Sequence, residues 1–306
     1  MSAVLLDDRI VHYEVLGRGR PVIFLHGWVG SWRYWIPAMQ TAAMSFRAYA
    51  LDQWGFGDTA HEPARYTLDQ QTVLLEHFMQ EMGIAKVALI GHGLGGLIAL
   101  QFLQRFPALV DRVMTVNVPF DIRAVHSRLR SVTTPADLAD WLLGRNEFGE
   151  SARVDAIKTD PQAIPMSLNG LVEASFLSAM DVMLTPCLIV HGEDDPAIQT
   201  PDYERVMAMP ERVHQVVLEG SGHFPMLDQS ARFNRLMADF VMQGRGEILD
   251  EIYVPLEAGA GDFDKVISAL GKDPEKEDQM RRANVRQALL RDGEIHVDGG
   301  HLVDDD

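Results

Sequence analysis

Four short stretches carry side chains or backbone groups that chemistry could use. V-A-L-I-G-H-G-L-G-G-L-I-A-L (87–100) runs from an apolar strand through a glycine-flanked turn into a helix. That is the pattern of a nucleophile elbow, G-x-S-x-G, but the middle position is Gly93 and carries no side chain. In H-G-W-V-G-S-W (26–32) the backbone N–H of Trp28, together with that of Leu94, could hold an oxyanion. V-H-G-E-D-D-P (190–196) offers a carboxylate, Asp195, and G-S-G-H-F-P-M (220–226) offers an imidazole, His223. A carboxylate that orients an imidazole makes a general base. Acyl transfer through a covalent intermediate also needs an attacking atom, and Gly93 has none.

Short buried-strand patterns precede all four stretches and position them. P-V-I-F-L (21–25), F-R-A-Y-A-L (46–51), K-V-A-L-I (86–90), D-R-V-M-T-V (111–116), C-L-I-V (187–190) and H-Q-V-V-L (214–218) are apolar nearly throughout. Such runs suit a mostly parallel sheet covered on both faces. Helical patterns lie between them: Ser31 to about Ala43, Thr67 to about Met82, and Leu94 to Phe106. Thr67 with Gln70 forms a capping-box pattern, and Pro107 stops the third helix. The alternation predicts a doubly wound α/β sheet, whose ligand crevice forms at the carboxyl ends of the strands. The first part of this core spans 1–119 and the second 185–245. Between them, 120–184 loses the strand rhythm and reads as a helical cap. An acidic C-terminal extension, 246–306, follows.

At this point the chain resembles the α/β-hydrolase family with a helical cap, from about residue 10 to 244. The residues that carry the resemblance are His26-Gly27, Asp52-Gln53-Trp54-Gly55-Phe56-Gly57, Gly91-His92-Gly93-Leu94-Gly95-Gly96, Asp195 and His223. Elbow, acid and histidine also follow in that family's order. The resemblance implies a catalytic triad in which the position of Gly93 carries serine, more rarely aspartate or cysteine. It implies an oxyanion hole from Trp28 and Leu94, and a substrate pocket bordered by His26, Gly27, Trp28 and His92. Glycine suits the left-handed backbone of an elbow better than serine does, so folding should tolerate the change. The space of the missing hydroxymethyl could hold a water beside His223.

No replacement nucleophile stands out. His92, beside the elbow, reads as a packed supporting side chain, a reading taken from the resemblance. Cys187 starts a buried strand and reads as a core thiol, and Ser221 is held away from the elbow by its own loop. Trp28 either lines a pocket or packs in the core, while Trp35 reads as core. The tracts H-G-E-D-D and H-V-D-G-G-H-L-V-D-D-D contain ligand types at no recognised metal spacing, so no metal and no cofactor are expected.

The chain has 306 residues, 47% hydrophobic, and a formal net charge of −17, which argues against nucleic acid as a partner. One cysteine fits a reducing compartment, most simply the cytoplasm. No secretory signal and no membrane span are expected. The extension holds 16 acidic against 7 basic residues and so supplies −9 of the charge. Its apolar I-L-D-E-I-Y-V-P-L, two helical patterns and a hairpin-like end suit contact with a protein partner or self-association.

Three functions follow from these residues. The first is a non-hydrolytic binding, scaffold or regulatory protein whose extension contacts a partner. The N-myc downstream-regulated proteins are similar in fold, missing serine and tail, although this chain keeps His223 and Asp195. The second is a cofactor-free enzyme that uses the His223–Asp195 dyad as general base on a small apolar substrate. The third is a carboxylic ester hydrolase whose nucleophile has been replaced by glycine.

Overall fold

A computed structural model describes residues 2–131, 134–144, 147–173, 184–202, 204 and 208–242. All lie in the first of two units into which the chain divides, Met1–Arg245; the extension 246–306 lies outside the described residues.

Eight strands form one sheet in the order β1-β2-β4-β3-β5-β6-β7-β8. They are β1 (Ser2–Leu6), β2 (Arg9–Gly17), β3 (Arg20–Leu25), β4 (Phe46–Leu51), β5 (Val87–His92), β6 (Val110–Val116), β7 (Cys187–Gly192) and β8 (Val213–Leu218). β2 is antiparallel to both neighbours, and β3 to β8 pair in parallel. Six strands match the apolar runs, because burial on both faces removes polar alternation: every residue of β5 and β7 is buried.

The β1–β2 hairpin was not legible as strands. Its two-residue turn is Asp7-Asp8, with φ of 49° and 60°. Left-handed values at both positions give the twist that a tight hairpin needs, but aspartates signal such a turn less clearly than Asn-Gly. Its strands are also half exposed, with Leu5 and Ile10 paired across the ladder on the surface.

The helices flanking the sheet are α1 (Ile36–Ala42), α2 (Leu68–Glu81) and α3 (Leu94–Arg105). The first predicted helix divides: Ser31 caps a 3-10 turn, Trp32–Trp35, before α1 begins. The Thr67 side chain accepts from the Gln70 N–H at 3.3 Å, as the capping pattern requires. Gly95 in α3 has no Cβ for a packing reason, since one would lie 2.2 Å from the Leu25 carbonyl oxygen. That contact sets α3 directly on β3.

Within 120–184 the described elements are helical: α4 (Ser127–Arg130), α5 (Pro135–Leu143), α6 (Glu150–Ala156) and α7 (Ala163–Glu173). They are bonded to the loops that follow β3 and β4. Asp155, almost fully buried, accepts from the Ser31 hydroxyl and lies 3.1 Å from Arg33 Nε. Tyr66 donates to Asp160 at 2.9 Å, and the Asp160 N–H donates to the Gly55 carbonyl at 2.8 Å. After β8 come α8 (Pro225–Asp228) and α9 (Ser230–Met242). Among the described residues no helix is long and apolar enough to cross a membrane.

Candidate active site

The strand order reverses at β3. From there the chain steps outward to β4, and β5 takes the other side. Loops leaving adjacent strands in opposite directions open a crevice at their carboxyl ends. The loop after β3 carries Gly27 and Trp28, and the turn after β5 carries Gly93.

Gly93 has φ 49° and ψ −111°, a strained left-handed region that glycine reaches at least cost. Two backbone bonds fix the turn: the Gly93 N–H donates to the Val116 carbonyl at 2.9 Å, and the Gly95 N–H to that of His26 at 3.0 Å. The N–H groups of Leu94 and Trp28 have no acceptor among the described residues. The residue at the summit of the turn is therefore placed as an elbow places its nucleophile.

The Trp28 indole stands against that summit. A Cβ built on Gly93 would lie 2.9 Å from Trp28 Cζ3 and 3.0 Å from Cε3, closer than side chains normally approach. The Trp28 indole is fully buried, and its Nε1 donates to Ser167 Oγ on α7 at 3.1 Å. Ser167 in turn donates to the Ile164 carbonyl at 2.8 Å. The indole edge thus stands against the place where a side chain at 93 would begin.

Across the site, His223 Nδ1 lies 3.0 and 2.9 Å from the two carboxylate oxygens of Asp195. Asp195 Oδ1 also accepts the N–H groups of Ala197 (2.8 Å) and Ile198 (3.2 Å). The carboxylate is thereby fixed from the backbone side and turned toward the imidazole. When Nδ1–H donates to Asp195, Nε2 is left to accept; it is buried and has no hydrogen-bond partner among the described residues. This is the arrangement of a general base held in one tautomer.

The other residues assigned to the pocket are packed into the interior. His26 Nδ1 meets the Gly27 carbonyl at 2.8 Å, and its Nε2 accepts the Gln53 N–H at 3.2 Å. The Gly27 N–H donates to the Tyr34 hydroxyl at 2.6 Å, and Tyr34 lies 2.9 Å from His92 Nδ1. The Gly27 N–H, the Tyr34 hydroxyl and His92 Nδ1 thus form one hydrogen-bonded chain. The His92 ring packs on that of His223 with centroids 4.7 Å apart. Burial, aided by the charge that His223 can carry, holds the His92 pKa well below the usual range; burial also lowers that of His26 and raises that of Tyr34. Both histidines therefore stay neutral at pH 7.

Ser221 is bonded to Asp228 Oδ2 at 3.1 Å. Cys187 is fully buried, its thiol pushed up to about 12 by desolvation. Trp35 is core, packed on Phe24, Tyr34 and Phe233. Three possible metal ligands do gather among the described residues, His12, Asp52 and Asp58, a group the sequence did not suggest. Protein donors already occupy them: Asp52 accepts from His12 Nδ1, Trp32 N and Asp58 N, and Asp58 pairs with Lys158 at 2.8 Å. Together they tie the loop after β4 to β2, and a cation at Asp58 would compete with Lys158. The His-Asp tract at 296–306 lies outside the described residues.

One contributor went unread in the sequence. Asn117 follows β6 with φ 47° and joins the His223 loop to β7 through its side-chain amide. The available signal was its place one residue beyond a buried strand.

Comparison with known proteins agrees with this architecture. The chain is 26% identical over 266 residues to a protein of Stutzerimonas stutzeri named "Putative carbamate hydrolase RutD", covering 78% of this chain and 99% of that one. It is 26% identical over 249 residues to the 2-hydroxy-6-oxo-2,4-heptadienoate hydrolase of Pseudomonas putida, covering 74% and 90%. Among solved structures, the enol-lactonase of Burkholderia xenovorans superposes with a TM-score of 0.69 at 19% identity, covering 79% of this chain and all of the other (100%). The N-acyl homoserine lactonase AidH gives 0.69 at 20% identity, covering 78% and 95%. At such identities the likeness is one of fold. A sequence model described as "Alpha/beta hydrolase family" matches residues 22–236, a span that runs from β3 through the turn at Gly93 and the Asp195–His223 pair into α9. Because that match spans well over half of the chain, the chain belongs to the alpha/beta hydrolase family.

Proposed function

We propose that the protein is a non-hydrolytic member of this family, acting by binding or regulation and without acyl transfer. One observation carries the reading: Gly93 offers no attacking atom, and the buried indole of Trp28 stands 2.9 Å from where its Cβ would be. The relatives' names concern carbamates, lactones and a 2-hydroxy-6-oxo-dienoate, so small carbonyl compounds are the natural panel for testing. With p-nitrophenyl acetate, a carbamate and a lactone, the protein is expected to show no turnover above that of His223→Ala. Gly93→Ser alone is expected to give no esterase burst, because the indole stands against the new side chain. Turnover at ordinary enzymatic rates by the unaltered protein overturns the reading.

This reading assigns the acidic extension, 246–306, to a protein partner or a second copy of the chain. Sedimentation of the full chain at low and high salt tests the second arm, and a monomer at both removes it.

A second reading rests on a different observation, the buried and unpartnered Nε2 of His223. It makes the dyad a general base on a small apolar substrate, with no covalent intermediate. A substrate-dependent proton abstraction lost in His223→Ala supports it, and indifference of every activity to that change removes it.

A further inference from the structure

We propose that Asn117 is a positioning residue for His223, setting the imidazole through its main chain while Asp195 sets it through Nδ1. Asn117 occupies the left-handed region at φ 47°, where L side chains other than asparagine and aspartate are rare. Glycine would take that backbone more easily, so the side chain needs a reason to be there.

The reason is its amide. Both hydrogens of Nδ2 are used, toward the Gly222 carbonyl at 3.0 Å and that of His223 at 2.9 Å. Oδ1 accepts the Gly192 N–H at 2.8 Å, and the Asn117 N–H donates to the Val190 carbonyl at 2.9 Å. One fully buried residue therefore clamps the carboxyl ends of β6 and β7 to the loop after β8. The His92 ring also meets the His223 backbone, but only the Asn117 amide bonds both the Gly222 and the His223 carbonyls. Aspartate would turn an oxygen toward two carbonyls, and glycine would keep the backbone while dropping all three side-chain bonds. The titratable groups facing His223 are Asp195 and His92. The inference holds under either functional reading above, because it concerns where the imidazole sits and not what it acts on.

The test is the tautomer of His223, read from imidazole 15N shifts in the full-length protein at neutral pH, with His223→Gln to assign the signals. In the unaltered protein the hydrogen is expected on Nδ1, facing Asp195. Asn117→Gly, which relieves the backbone, is expected to lose that single tautomer and give a mixture. Val113→Ala, a cavity in the same strand, is expected to lower the melting temperature and keep the Nδ1–H form. Three outcomes overturn the proposal: no Nδ1–H form in the unaltered protein, retention of it in Asn117→Gly, or its loss in Val113→Ala as well. If Val113→Ala fails to fold, Ile189→Val on β7 takes its place under the same criterion.

Discussion

The two halves of the crevice have been kept to different standards. On the side of β7 and β8, the carboxylate, the imidazole and the loops that carry them are bonded as a general base requires. On the side of β3 and β5, the elbow keeps its strained backbone and two N–H groups without acceptors among the described residues, yet its summit is bare and an indole lies against it. Backbone geometry is a property of the whole fold and needs no side chain at the summit. Open space survives only while something needs it, because an apolar void forfeits contacts on its walls.

The first way to break this contrast is to remove the indole. Trp28→Ala deletes a fully buried ring and its bond to Ser167, so unfolding should become easier by about 3–5 kcal/mol. The Nδ1–H signature of His223 should persist, since no bond of the Asp195 side involves Trp28. Chemical denaturation with the tautomer measurement checks both, and loss of the signature would show that the halves are one unit.

Acid tests the other half. His191, buried on β7 next to that side, has its pKa lowered to about 4 by desolvation. A histidine whose folded pKa is depressed stabilises the fold fully above its unfolded value, about 6.5, and that contribution is lost as pH falls toward 4. The span corresponds to about 3 kcal/mol between pH 7 and 4. His191→Phe should flatten that part of the stability profile, measured by urea melts, and an unchanged slope rejects the assignment.

Smaller changes sharpen the contact itself. Gly93→Ala places a Cβ against Trp28 in a left-handed turn and should cost about 2 kcal/mol. Combined with Trp28→Ala it should cost less than the sum by about 1 kcal/mol, because the clash goes with the ring. Additive costs would mean that the two residues do not touch in solution. Ser167→Ala removes one hydrogen bond to the indole and should cost about 1 kcal/mol in the same melts.

Much of this frame was legible beforehand. Apolar runs marked β3 to β8, and residues at their carboxyl ends, Asp195 and His223 among them, come together because a parallel sheet brings those ends to one edge. The hairpin of β1 and β2 escaped because its turn is two aspartates and its faces are wet. Asn117 escaped because a lone asparagine after a strand looks the same whether or not its amide bridges two loops. Trp28 was ambiguous for a deeper reason: sequence placed its N–H at the oxyanion position, but only packing could tell where the ring points. For His26, Gly27 and His92 sequence showed only their place beside the turn; their bonds to Gln53 and Tyr34 needed the packed structure.

Trp28 joins two places that are far apart in sequence, since its ring lies on Gly93 and its nitrogen ends on Ser167. A molecule seated over the bare glycine has first to swing the ring aside, and that motion severs the link to α7. Displacement of the ring from Gly93 and loss of its bond to α7 are then one event. The indole's own fluorescence would record it.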